Sequence, residues 1–119
     1  MRIEVRGKGV EITSGLRTFV ERRARLALGS RSEKIDRLQV WIEDVNGPKG
    51  GTDKVCRVKV TGREVGEHLL ESASAEIGAS VFDAVDRAAR LASRSLERAR
   101  AHARGQIGDS RPWALRFHG

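Results

Sequence analysis

The chain has 119 residues, 39% hydrophobic and 33% charged, which suits one soluble domain with its own core and a charged surface. No run approaches the roughly 18 apolar residues of a membrane helix, the alternating start Met1-Arg2-Ile3-Glu4-Val5-Arg6 is no secretory signal, and a lone cysteine, Cys56, excludes a disulfide framework or a cysteine-built zinc site, so a cytoplasmic location is expected. The 23 Lys and Arg against 16 Asp and Glu leave a net charge of +7, which points to an acidic partner such as nucleic acid.

Ile3 and Val5 alternate with Arg2, Glu4 and Arg6, the period of a half-buried strand. Gly7-Lys8-Gly9 breaks it. Thr13 is a good helix N-cap, and from Leu16 the spacing changes to three and four: Leu16, Phe19, Val20, Ala24, then Ala27 or Leu28. Gly29 is the expected stop, with a polar turn over residues 30–34. Leu38, Val40 and Ile42 alternate with Gln39, Trp41 and Glu43 as a second strand, and Asn46–Gly51 reads as a flexible hairpin loop. Cys56, Val58 and Val60 mark a third strand. Leu69, Leu70, Ala73 and Ala75 mark a fourth, in a segment whose Ala and Glu are poor strand formers.

The longest periodic element spans residues 79–104, where Val81, Val85, Ala88, Ala92, Leu96 and Ala99 step by fours and threes and Phe82, Ala89 and Leu91 widen the apolar stripe. About 25 helical residues extend roughly 38 Å, more than a small sheet covers, so the last turns are expected to project. The expectation is an α+β domain over residues 1–104, of order β-α-β-β-β-α. Two helices pack on one face of a four-stranded mixed sheet, and residues 105–119 form a disordered basic tail.

Charge is segregated along this order. Residues 62–86 hold one arginine against six acids, and residues 87–104 hold six arginines against one glutamate. Arg87, Arg90, Arg94 and Arg98 fall on one line of the second helix, about 16 Å long, with Glu97 as the nearby acid. Like charges at this spacing repel, so a purely structural face would interleave acids. Arg22, Arg23 and Arg25 add a second basic ridge on the first helix, and a groove lined by one sign of charge suits a folded polyanion. Aromatics are few. Trp41, on the outer sheet face, is the one placed to stack on a base, so recognition of shape and phosphate is expected rather than sequence readout. His68, His102 and His118 have no carboxylate at triad or ligand spacing, and the glycine loops lack a Gly-Lys-Ser/Thr ending. No enzyme activity, cofactor, metal or small-molecule substrate is expected.

Gly7-Lys8-Gly9-Val10-Glu11-Ile12-Thr13, then Leu16-Arg17 and Val20-Glu21-Arg22-Arg23, resembles the start of the bacterial hibernation-promoting factors and ribosome-associated inhibitors, a family also known as sigma-factor modulation or S30EA ribosomal proteins. Ala84-Val85-Asp86-Arg87, followed by Arg90 and Arg94, is similar to that family's second-helix signature. Ala88 and Ala89 stand where Leu and Glu are usual, Leu26 near a common lysine, and Gly78-Ala79-Ser80 where an aromatic is often found. The resemblance covers about residues 1–100 and is to the short form. It implies a double-stranded-RNA-binding-domain-like fold and binding of small-subunit rRNA in the channel between head and body. Blocking of the mRNA and tRNA sites by occupancy would follow. It carries the family's basic helix positions onto Arg22, Arg23, Arg87, Arg90 and Arg94; Arg25 and Arg98 join them from the charge pattern. The alternative is a protein-interaction module that regulates a transcription factor or another partner, with the acidic stretch 62–86 as its surface.

Overall fold

Residues 1–45 and 53–108 are described by the computed structural model. Their elements are β1 (Arg2–Lys8), α1 (Ser14–Leu28), a 3-10 helix (Gly29–Lys34), β2 (Arg37–Asp44), β3 (Lys54–Gly62), β4 (Gly66–Ser74) and α2 (Ile77–Gly108). The sheet order is β1-β2-β3-β4, with β1 parallel to β2 and the other pairs antiparallel. A parallel neighbour needs a crossover, and α1 with the 3-10 helix supplies it. This is the expected α+β architecture.

The period-two positions meet across the strands. Leu38 pairs with Val60, Val40 with Val58 and Ile42 with Cys56, and all six are buried. Both helices cover that face. α1 contributes Val20, Ala24 and Leu28; α2 contributes Val81, Ala84, Val85, Ala88, Ala89, Ala92 and Leu96. The alanines let α2 lie close to the sheet, and each apolar side chain removed from water favours the packed state. Thr13 caps α1 as expected, its Oγ1 accepting from the Leu16 N–H at 3.1 Å. Gly29 ends α1 at φ 56°, a left-handed conformation that glycine adopts without a Cβ penalty.

Four details differ from the sequence reading. The polar turn at 30–34 is a 3-10 helix. Phe82, assigned to the core stripe, is 46% exposed, because it lies at the helix–helix seam rather than over the sheet. Ile35 and Val65, in connections, are buried core residues. α2 begins at Ile77 and runs through Gly105 to Gly108, since Ala103 and Arg104 before that glycine and Gln106 after it are good helix formers and one glycine costs only about 1 kcal/mol. The expected loop at 46–51 and residues 109–119 of the expected tail lie outside the described residues.

Candidate nucleic-acid interface

The acidic stretch is consumed inside the fold. Glu64 pairs with Lys34 at 3.3 Å, Glu67 with Lys59 at 3.3 Å, Glu71 with Arg57 at 2.9 Å, Asp83 with Arg87 at 3.1 Å and Asp86 with Arg23 at 3.0 Å. The outer sheet face is balanced in the same way. Glu4 lies 3.5 Å from Arg2 and 3.9 Å from Arg37, while Glu43 lies 3.1 Å from Arg57 and 3.8 Å from Lys8. Glu71 and Glu43 together raise the Arg57 pKa above the usual arginine value, so that cation is bound in place.

The helix face is not balanced. Among the described residues, Arg22, Arg25, Arg31, Arg90, Arg94 and Arg98 make no ion pair, and all six are exposed. Arg90 is central. It lines one hollow of about 340 Å³ with Leu70, Arg87, Leu91 and Arg94, on the β4 side of α2. It also lines a second of about 440 Å³ with Ala27, Arg31, Asp86, Ala89 and Ser93, between the helices. The stripe thus forms a ridge with a concavity on each side, wide enough for phosphate groups to approach arginines from both.

The α1 cations divide. Arg23 turns inward: its Nη2 donates to Asp86 Oδ1 at 3.0 Å and its guanidinium lies 4.0 Å from the Phe82 ring centroid. Arg22 is about 100° around the helix from Arg23 and stays exposed beside the seam, while Arg25, about 160° around, faces away from α2. So Arg23 ties the helices together, Arg22 stays on the solvent side of α1 and Arg25 is remote from the seam. Arg31, in the 3-10 helix, was missed by the sequence reading. The α-helical period could not place it, because Gly29 ends α1 and the 3-10 helix sets the direction of Arg31.

Asp83 moderates one end of the stripe. A hydrogen bond from Ser72 at 2.7 Å, and then one from Arg87 at 3.1 Å, hold its carboxyl below the usual carboxylate range. Trp41 is half-buried on the outer sheet face, in register with Arg6 on β1 and Arg57 on β3. Cys56 is fully buried, and burial pushes its thiol up to about 12. His68 Nε2 lies 2.8 Å from Ser95 Oγ and 3.0 Å from the Val65 carbonyl, a tie between α2 and the sheet. Among the described residues no group of three His, Cys, Asp or Glu side chains is arranged to hold a metal ion. No described helix is long and apolar enough to cross a membrane.

The family model described as Sigma 54 modulation protein / S30EA ribosomal protein matches residues 3–104. The chain belongs to this family. The match runs from β1 into the exposed end of α2, so it takes in both helices and the whole arginine stripe. No curated protein matches at a significant level. Several solved structures share the fold, two of which illustrate it. The N-terminal domain of Protein Y from Thermus thermophilus superposes with a TM-score of 0.65 at 23% identity, over 79% of this chain and 98% of that one. A ribosomal subunit interface protein from Coxiella burnetii superposes with a TM-score of 0.65 at 17% identity, over 79% and 96%.

Proposed function

We propose that this chain binds the small ribosomal subunit through its rRNA and inhibits translation by occupying the channel that mRNA and tRNA use. In this reading Arg22, Arg31, Arg87, Arg90, Arg94 and Arg98 contact phosphates, Arg25 adds to the attractive field, and Arg23 holds the two helices in register. The protein would act in the cytoplasm and need no cofactor.

One observation carries the reading: five of the acids at 62–86 are paired within the fold, while Arg90, Arg94 and Arg98 make no ion pair among the described residues and Arg90 lies beside two hollows. Arginine's planar fork suits phosphate oxygens, and an unpaired row of it at helix spacing has no structural benefit. The family description and the two structural neighbours, a Protein Y domain and a subunit interface protein, support a ribosomal partner. The competing protein-interaction reading was motivated by residues 62–86. Five of those acids are engaged within the chain, which leaves little free acidic surface there.

Contact with about six phosphates gives a log–log salt slope of about −4 to −5. Sucrose-gradient sedimentation of a cell lysate at low and high salt tests the proposal. The protein should track with small-subunit fractions at low salt and leave them as salt rises. Protein that stays at the top of the gradient at low salt would count against it.

A further inference from the structure

We infer that the free edge of β4, with the α2 arginines beside it, is a docking groove for an acidic peptide that joins the sheet as an added strand. This is a protein-binding role for the β4 flank of α2. It goes beyond the ribosomal reading and does not depend on it.

β4 ends the sheet, and among the described residues no strand pairs with its outer side. An exposed strand edge is a template for another chain, and proteins blunt it with lysine, proline, a bulge or a short strand. The opposite edge is blunted, since Arg2, Arg6 and Lys8 stand exposed along β1. β4 has none of these devices. Its nine residues, Gly66–Ser74, include no lysine, arginine or proline, and they pair with β3 residue for residue without a bulge. Its two acids are neutralised from β3, Glu67 by Lys59 at 3.3 Å and Glu71 by Arg57 at 2.9 Å, so they do little to repel an incoming acidic strand. Leu69, between them, is 65% exposed. The Glu71 carbonyl oxygen lies 3.5 Å from Arg87 Nη1, so this acceptor is open to a donor from outside the sheet.

The hollow of about 340 Å³ lies between β4 and α2, with Leu70 and Leu91 as apolar lining and Arg87, Arg90 and Arg94 as cationic lining. A strand added to β4 turns alternate side chains toward α2 and this hollow, and the others toward Leu69. Arg87 and Arg94 are about 10 Å apart along the helix, within the span of two to three alternate strand residues. Arg90 and Arg94 make no ion pair among the described residues, so acids at alternate positions meet uncompensated cations. In this mode main-chain hydrogen bonds supply affinity and alternate side chains supply specificity.

Charge and backbone chemistry choose the occupant. A second copy joined edge to edge would bring its own arginine row to the same side of the continuous sheet, where the two rows repel. A nucleic-acid strand has no repeating row of amide N–H and C=O groups to continue the ladder. A peptide of alternating acidic and apolar residues satisfies the strand edge, the leucines and the arginines together.

Amide hydrogen exchange of the full chain, followed by NMR, tests this with a capped peptide in which three glutamates alternate with valines. Exchange should slow at alternate amides of β4, and R90Q/R94Q should weaken peptide binding about fivefold or more. A peptide of the same composition with its glutamates in one block should bind more weakly and leave the β4 amides unprotected. Equal binding of the two peptides, or binding without protection in β4, would overturn the inference, because the contact would then be charge alone. Wild-type peptide affinity in R90Q/R94Q would overturn it too. So would an alternating peptide that fails to bind, and oligouridylate protecting β4 in its place would make the groove an RNA site.

Discussion

Arg23 and Asp86 join the two helices. The Arg23 guanidinium donates to the Asp86 carboxylate at 3.0 Å, with the two side chains 24% and 28% exposed, and its flat face covers the Phe82 ring. A family position that reads as an RNA contact is therefore occupied with setting the spacing of the groove that Arg31 and Arg90 line.

Removing either partner should cost stability. A charge-assisted, partly buried hydrogen bond contributes about 1–3 kcal/mol, so R23Q and D86N are each expected to lower unfolding free energy by about that much in urea titrations. The double variant should cost clearly less than the sum, since each single change already breaks the same link. R23Q should also leave the salt slope of subunit binding unchanged, unlike a change at a phosphate contact.

Asp83 restrains Arg87. D83N removes the negative charge next to the stripe and frees the guanidinium. Surface pairs contribute at most about 1 kcal/mol, so subunit binding should tighten by about two- to fivefold at low salt. The same carboxyl should titrate below its ordinary range, and S72A should move it back up, measured by NMR. Because its folded pKa is depressed, its contribution to stability is present above the unfolded pKa and is lost as pH falls through the folded one.

Cys56 predicts an alkaline limb. Its thiol stays protonated in the folded protein up to about 12, while the unfolded thiol ionises near its ordinary value. The unfolded state thus loses this proton first, and the stability contribution, complete below the unfolded pKa, declines as pH rises toward 12. Comparing urea midpoints at neutral pH and at about pH 10 should give a smaller drop in C56V than in the wild type. A thiol reagent should label Cys56 in denaturant and spare the native protein.

Gly62 closes the β3–β4 hairpin against the end of the 3-10 helix. A Cβ there would run into the Lys34 carbonyl oxygen and crowd Val65 at 3.4 Å. G62A should destabilise by about 1–3 kcal/mol on the scale of an overpacked core, read by thermal unfolding. Because the displaced segment carries Arg31, subunit affinity should fall with it.

The strands at 38–42 and 56–60 were legible because alternation alone separates a buried face from a wet one, and they pair as that pattern requires. The fourth strand was less so. Its Ala and Glu carry little propensity, and its position comes from antiparallel pairing with β3 across the turn between Gly62 and Gly66. Arg87, Arg90, Arg94 and Arg98 could be aligned from helix spacing, but that the last three make no ion pair within the described fold could not be read there. That depends on where Lys34, Arg57 and Lys59 sit relative to the acids, and those pairs join residues well apart in the chain, across neighbouring strands or from the 3-10 helix to the β3–β4 turn. The place of Arg23 at the helix seam had a signal in the sequence. Arg23 lies between Val20 and Ala27 on the core-side stripe, where three- and four-residue steps point inward.

Filter binding of R90E/R94E to purified small ribosomal subunits tests the central claim most directly. Neither arginine makes an ion pair within the described fold, so the reversal should leave unfolding free energy within about 0.5 kcal/mol of the wild type. The account predicts that affinity at low salt falls by about 100-fold or more and that the salt slope becomes shallower by about 2. A folded variant that binds with wild-type affinity and slope would contradict it.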